Sequence, residues 1–202
     1  MARAVKRADG RGGCAPLKKR VILPALAAIL LLALAVCALH VQNAVSLRGT
    51  VPAGEYLLTD GAAEDLVPLV EDPWMAYGVL HIRGALLRPG RQVGAVNVRV
   101  GLMAQNPETG APAADEVILL NTQLVRRFGL AKTYGCDDHC GFSAAAQASR
   151  LAGGDTPYRV VLVDETDGEK RMIETDMTVT PGEDGLAFVR VHQPGEEAQD
   201  AQ

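Results

Sequence analysis

The chain has 202 residues (21.3 kDa), of which 48% are hydrophobic, 22% charged and only 4% aromatic. That composition is too apolar for a disordered chain and far from collagen-like or disulfide-dense classes, and the length allows one ordinary domain with appendages. Residues 1–20 carry seven Lys/Arg against Asp9 alone, a balance of +6, whereas residues 21–202 carry 13 basic and 23 acidic side chains, a balance of −10. An acidic body repels phosphate, which excludes nucleic acid as a partner.

From Val21 to Leu39 no charged side chain occurs. As a helix this stretch spans roughly 28 Å, the hydrocarbon thickness of a bilayer. Lys18, Lys19 and Arg20 abut its start, so the positive-inside rule keeps residues 1–20 as a basic cytoplasmic tail and makes 21–41 a signal anchor. The expected product is a single-pass protein of the cell membrane, with the lipid bilayer as its first partner and everything after residue 41 outside the cytoplasm. Pro24 is expected in the first turn of that helix, where its missing N–H costs little. Two processed forms compete with a retained anchor. Val36-Cys37-Ala38 offers a cleavage site after Ala38, and Leu34-Ala35-Val36-Cys37 has the outline of a lipoprotein box with Cys37 as the lipid carrier, although Val36 is larger than the usual residue there.

Residues 42–65 mix Gly, Pro and polar residues and read as a stalk, with Tyr56-Leu57-Leu58 as one early strand. Beyond Leu66 short runs alternate with turn signals, the pattern of an all-β module. Val79–Gly84 alternates, with Leu80 and Ile82 on one face and His81 and Arg83 on the other, and Pro89-Gly90 closes it. Val96–Leu102 places Val96, Val98, Val100 and Leu102 inward. Asn106–Gly110 is a turn before a strand at Val117–Leu120. Gly141–Ala144 starts another strand, although Ala144–Ala148 reads equally as a helical turn. Tyr158–Val163 and Arg171–Thr175 flank an Asp167-Gly168 hairpin signal, and the acidic run Asp164–Glu169 reads as its solvated tip. Gly153-Gly154-Asp155 is a plain turn. Leu186–Val191 is a last strand within the C-terminal segment 181–202, which ends in an acidic tail. About seven strands at this spacing predict an immunoglobulin-like β-sandwich over residues 66–180, preceded by the single transmembrane helix.

Three pieces recur together here: Ile82-Arg83-Gly84-Ala85-Leu86 before a Pro-Gly turn, the Val-alternating strand 96–102, and Gly141-Phe142-Ser143-Ala144 ahead of the Tyr158–Val163 hairpin. Their order resembles β-sandwich modules on the outer side of membrane-anchored surface proteins and of some membrane glycosyltransferases in Gram-positive anaerobes. The resemblance covers residues 66–180. It implies a surface location and a supporting role in the cell envelope, and it transfers no catalytic residue. Those modules often carry Trp where this chain has Ala85.

The most distinctive local feature is Gly135-Cys136-Asp137-Asp138-His139-Cys140-Gly141. Outside the cytoplasm, Cys136 and Cys140 read first as a disulfide closing a very small loop. Free thiols are the second reading. Metal binding is the third: Cys136, His139 and Cys140, with an oxygen from Asp137 or Asp138, suit tetrahedral zinc, but no second pair completes a structural site. Nucleophilic catalysis finds no elbow around Ser46, Ser143 or Ser149, no phosphate loop occurs, and no cofactor is expected. For sugar binding the residues are Trp74, the sole tryptophan, and Tyr77 in Trp74-Met75-Ala76-Tyr77. These features predict a non-enzymatic interaction or accessory module of the envelope, whose partner is a cell-surface polysaccharide or another envelope protein. The alternatives are a dedicated carbohydrate-binding module and a metal or redox sensor built on the Cys136–Cys140 loop.

Overall fold

The computed structural model describes residues 17–59, 65–93, 96–151, 156–182 and 185–190, with the backbone alone for 17–22. The basic tail up to residue 16, the Gly153-Gly154-Asp155 turn and the acidic tail from residue 191 lie outside these. The chain divides into two compact units, residues 1–41 and 42–202.

Helix α1 runs from Leu17 to Ala44, 28 residues. Its Leu23–Ala44 portion is long and apolar enough to cross a membrane, and none of it is buried. The helix starts earlier than the uncharged stretch, so Pro24 sits inside it rather than in the first turn. Its ring removes the N–H that would have bonded the Arg20 carbonyl one turn earlier. At the helix end, Asn121 Nδ2 donates to the carbonyls of Asn43 and Ala44 at 3.0 and 3.1 Å.

The body is mostly β, as expected. Its strands are β1 (Leu47–Pro52), β2 (Leu57–Thr59), β3 (Val67–Val70), β4 (Trp74–Ala76), β5 (Val79–Leu87), β6 (Val98–Gln105), β7 (Pro112–Val125), β8 (Gly141–Gln147), β9 (Tyr158–Asp164), β10 (Arg171–Gly182) and β11 (Gly185–Arg190); α2 (Phe128–Tyr134) joins β7 to β8. Where about seven strands were expected, the described residues form eleven in one continuous sheet that curls into a half-barrel. The order is β11-β10-β9-β6-β7-β8-β5-β3, with β1 added to β7, β2 to β10 and β4 to β5. The curl follows from the length of β7. Its residues Pro112–Leu119 pair with β6, and its residues Asn121–Val125 pair with β8, so one strand serves both walls. The segment read as a stalk contributes two strands: β1 lies antiparallel on β7, and β2 lies parallel on β10.

The concave side holds the main core. Leu80, Ile82 and Leu86 of β5 meet Val98, Val100 and Leu102 of β6, Phe142 of β8 and Tyr158, Val160 and Leu162 of β9. Fully burying each such aliphatic side chain contributes about 1.5–3 kcal/mol. Two smaller clusters cover the convex side. Tyr56 packs on Met103, Val117, Val161, Val163 and Met172, while Ala131, Cys136 and Cys140 pack on Ala85 and Leu87. Coverage on both faces explains why Tyr158-Arg-Val-Val-Leu-Val is an apolar run rather than a clean alternation. Gly84 is required on β5, because a Cβ there would land on the Leu69 carbonyl oxygen and 2.6 Å from Phe142 Cζ.

The acidic run 164–169 departs from a wholly solvated tip. Asp164 and Thr166 are buried, and Arg88 is buried with them. Arg88 Nη2 donates to Asp164 Oδ1 at 2.6 Å and to Thr166 Oγ1 at 2.9 Å, and the Asn97 and Thr166 amides complete the knot at 3.1 Å each. It ties the β5–β6 connection to the β9–β10 hairpin.

Candidate ligand-binding surface

The β4–β5 hairpin turns on two residues, Tyr77 and Gly78, both at positive φ (+52° and +71°), the geometry that matches strand twist in two-residue hairpins. This turn fixes the register Ala76↔Val79, Met75↔Leu80, Trp74↔His81. Trp74 and His81 therefore sit opposite each other on one face, and their rings stack with centroids 5.0 Å apart and planes within 7°. The Arg83 guanidinium lies 4.8 Å from the Trp74 ring centroid. Burial, reinforced by neighbouring Arg83, holds the His81 pKa below its ordinary value, so its ring is neutral at pH 7. A neutral imidazole lies flat against an indole without desolvating a charge.

Trp74 is half-buried, whereas Tyr77 is completely exposed. The two residues nevertheless line one open groove of about 440 Å³ with Met75 and, from β11, Gly185 and Leu186. Sequence reasoning identified these two aromatics but missed His81 and Arg83 as their neighbours. The available signal was the two-residue spacing of the Tyr77-Gly78 turn, which pairs Trp74 with His81.

The cysteine loop is built differently from its sequence pattern. A left-handed Gly135 ends α2, and Asp137 Oδ1 accepts from the His139 amide at 2.8 Å to start a single 3-10 turn. Cys136 and Cys140 point inward beneath α2 and are both buried, unbonded thiols. Burial and adjacent Cys136 push the Cys140 thiol up to about 11, which leaves it protonated at neutral pH. His139 is on the outside instead. Its Nδ1 lies 2.8 Å from Asp138 Oδ1, and its Nε2 accepts from Arg126 Nε at 3.0 Å, so both ring nitrogens are engaged. Among the described residues the metal-type donors gathered within 4.8 Å are Asp137, Asp138 and His139, and neither cysteine joins them. The set Cys136–His139–Cys140 is thus split between the buried and exposed sides of the loop.

Ala85, where the resembling modules often carry Trp, is buried against α2 in the cluster with Ala131, Cys136 and Cys140. No protein-family model matches the chain, and no curated protein or solved structure does either.

Proposed function

We propose that this chain is a single-pass membrane protein whose β body stands outside the cytoplasm and binds cell-surface polysaccharide without catalysing a reaction. The observation that carries this reading is Tyr77. A left-handed backbone costs a non-glycine residue roughly 1–2 kcal/mol, and a side chain wholly in solvent returns nothing to the fold. A strained, exposed aromatic beside a second aromatic in an open groove is what ligand contact would retain. Sugar rings offer C–H faces to such side chains, while their hydroxyls remain in water.

Supporting the placement are the apolar Leu23–Ala44 helix and the contrast between the +6 tail and the −10 remainder. The charge bias keeps the N-terminus cytoplasmic, and an apolar stretch longer than the roughly 7–15 residues of a signal peptide favours an uncleaved anchor. The curled sheet, with two walls sharing β7, is read as a relative of the sandwich modules that the sequence resembles. In an oxidising compartment Cys136 and Cys140 would close a disulfide beneath α2, rigidifying the loop without touching the groove.

The test is Tyr77→Asn in the full-length chain held in neutral-lipid nanodiscs, titrated with dextran, xylan and polygalacturonate. Asn accepts a left-handed backbone more readily than Tyr, so this variant should keep the fold or gain about 0.5–1 kcal/mol. It should lose about tenfold in affinity for whichever polysaccharide the wild type binds. Unchanged affinity would overturn the groove as the contact surface. Absence of binding to all three polymers would leave an envelope protein as the partner.

A further inference from the structure

The outward face of the β4–β5–β8–β7 wall is covered by α2 at one end, and at its β7 side Asn121 is tied to the carbonyls of Asn43 and Ala44. In the covered part Ala85 and Leu87 lie under Ala131 and the two cysteines. Toward the hairpin tip the outward positions fall into two cross-strand rows. One row is Trp74↔His81↔Ala145↔Asn121, read directly from the registers of three strand pairs. The next is Arg83↔Ser143↔Gln123. Four strands at sheet spacing make the first row roughly 14 Å long. Its middle is low because Ala145 is small, as Ser143 is in the second row, and its ends are raised by Trp74 and by Asn121, onto whose Oδ1 Arg48 Nε donates at 3.0 Å.

The second row continues across β5 to Glu71, whose amide donates to the Arg83 carbonyl at 2.9 Å and whose carboxylate is neutralised by Arg127. That leaves Arg83 as the unpaired charge of the two rows, in a body where residues 21–202 carry −10 overall. Arg83 is exposed, and among the described residues its guanidinium lies over the Trp74 ring and close enough to His81 to depress its pKa, with no side-chain hydrogen bond or ion pair to a carboxylate or carbonyl. An arginine held over an indole keeps its N–H edge free for a planar anion while the ring supplies a stacking surface. Gln123, exposed at the end of the second row, offers an amide for hydroxyl groups.

We infer that these rows form a trough for an anionic polysaccharide, in which Trp74 stacks on a sugar ring and Arg83 pairs with that sugar's carboxylate. The inference rests on the polysaccharide reading above and narrows its ligand to acidic sugars.

The experiment compares polygalacturonate with neutral xylan on the full-length chain in neutral-lipid nanodiscs, for wild type, Arg83→Gln and Tyr77→Asn. The expected result is preference for polygalacturonate, with about a tenfold loss in Arg83→Gln for the acidic polymer and little change for xylan. Equal binding of both polymers with Arg83→Gln silent would overturn the acidic preference while leaving the polysaccharide reading intact. No binding to either polymer would overturn both. Polygalacturonate binding that ignores Arg83→Gln and Tyr77→Asn alike would assign the affinity to the basic N-terminal tail and overturn the trough. Both substituted residues are exposed, so the variants should fold; matching thermal unfolding curves verify this.

Discussion

Arg88 shows how much of this fold rests on one side chain that sequence patterning passes over. It follows the β5 strand as an ordinary charged residue before Pro89-Gly90, yet it is buried and bonded to Asp164 and Thr166. Removing one partner of a buried pair leaves the other charge stranded, at a cost of about 3–5 kcal/mol. Arg88→Met should therefore lower the free energy of urea unfolding by about that amount, and adding Asp164→Leu should restore much of it. A loss below about 1 kcal/mol would show that Asp164 finds water or another donor. The acidic run 164–169 was legible as a hairpin from Asp167-Gly168, and the hairpin is present. Its buried end was not legible, because the cation that neutralises Asp164 is 76 residues away. Periodicity reports faces of one strand, and it carries no information about which distant charge arrives there.

At the scale of elements, alternation located β5 and β6, an apolar β-branched run located β9, and the Asp167-Gly168 turn located the start of β10. The short β2 was anticipated at Tyr56-Leu57-Leu58, but two other short strands escaped. β3 and β4 have four and three residues, too few for a period, and β4 is recognisable only through its turn. That turn uses Tyr77-Gly78 where Asn-Gly would have announced it. Helix α2 was missed for a related reason: its seven residues bury Ala131 alone. The loop that follows was singled out for its residue types, but the sidedness of those types needed coordinates. Cys140 gives this element a pH signature. Its folded pKa, about 11, lies above the ordinary value of 9.0, so the folded state holds a proton that the unfolded state releases. Its contribution is present in full below pH 9 and fades as pH rises toward 11. With the thiols reduced, the stability difference between wild type and Cys140→Ala should shrink across pH 9–11 in urea unfolding. A difference constant over that range would mean that the thiol is solvated in the folded state.

For the whole molecule, the N-terminal apolar helix and the β class were legible from the order of residue types, since a charge-free run and a train of short β-branched runs are both one-dimensional signals. The continuity of the sheet was not, because β7 reads as the four residues Val117–Leu120 while it extends over 14. Its polar stretch Asn121 to Gln123 carries no apolar alternation, yet Asn121–Val125 pairs with β8. The same unalternating stretch supplies the polar end of the trough. Folding one long strand into both walls brings Trp74, from an edge hairpin, into a row with Asn121 from the middle of the sheet. The surface proposed for polysaccharide is thus a product of strand pairing within one wall rather than of any contiguous motif.

Trp74 is the sole tryptophan in the chain, so intrinsic fluorescence reports from the proposed contact surface. The most direct measurement is a fluorescence titration of the full-length protein in neutral-lipid nanodiscs with polygalacturonate and with xylan. A saturable change in Trp74 emission, stronger with the acidic polymer and shifted to about tenfold higher polymer concentration in Tyr77→Asn, is the predicted result. Binding detected by sedimentation with Trp74 emission unchanged would place the polysaccharide elsewhere on the molecule and contradict the account.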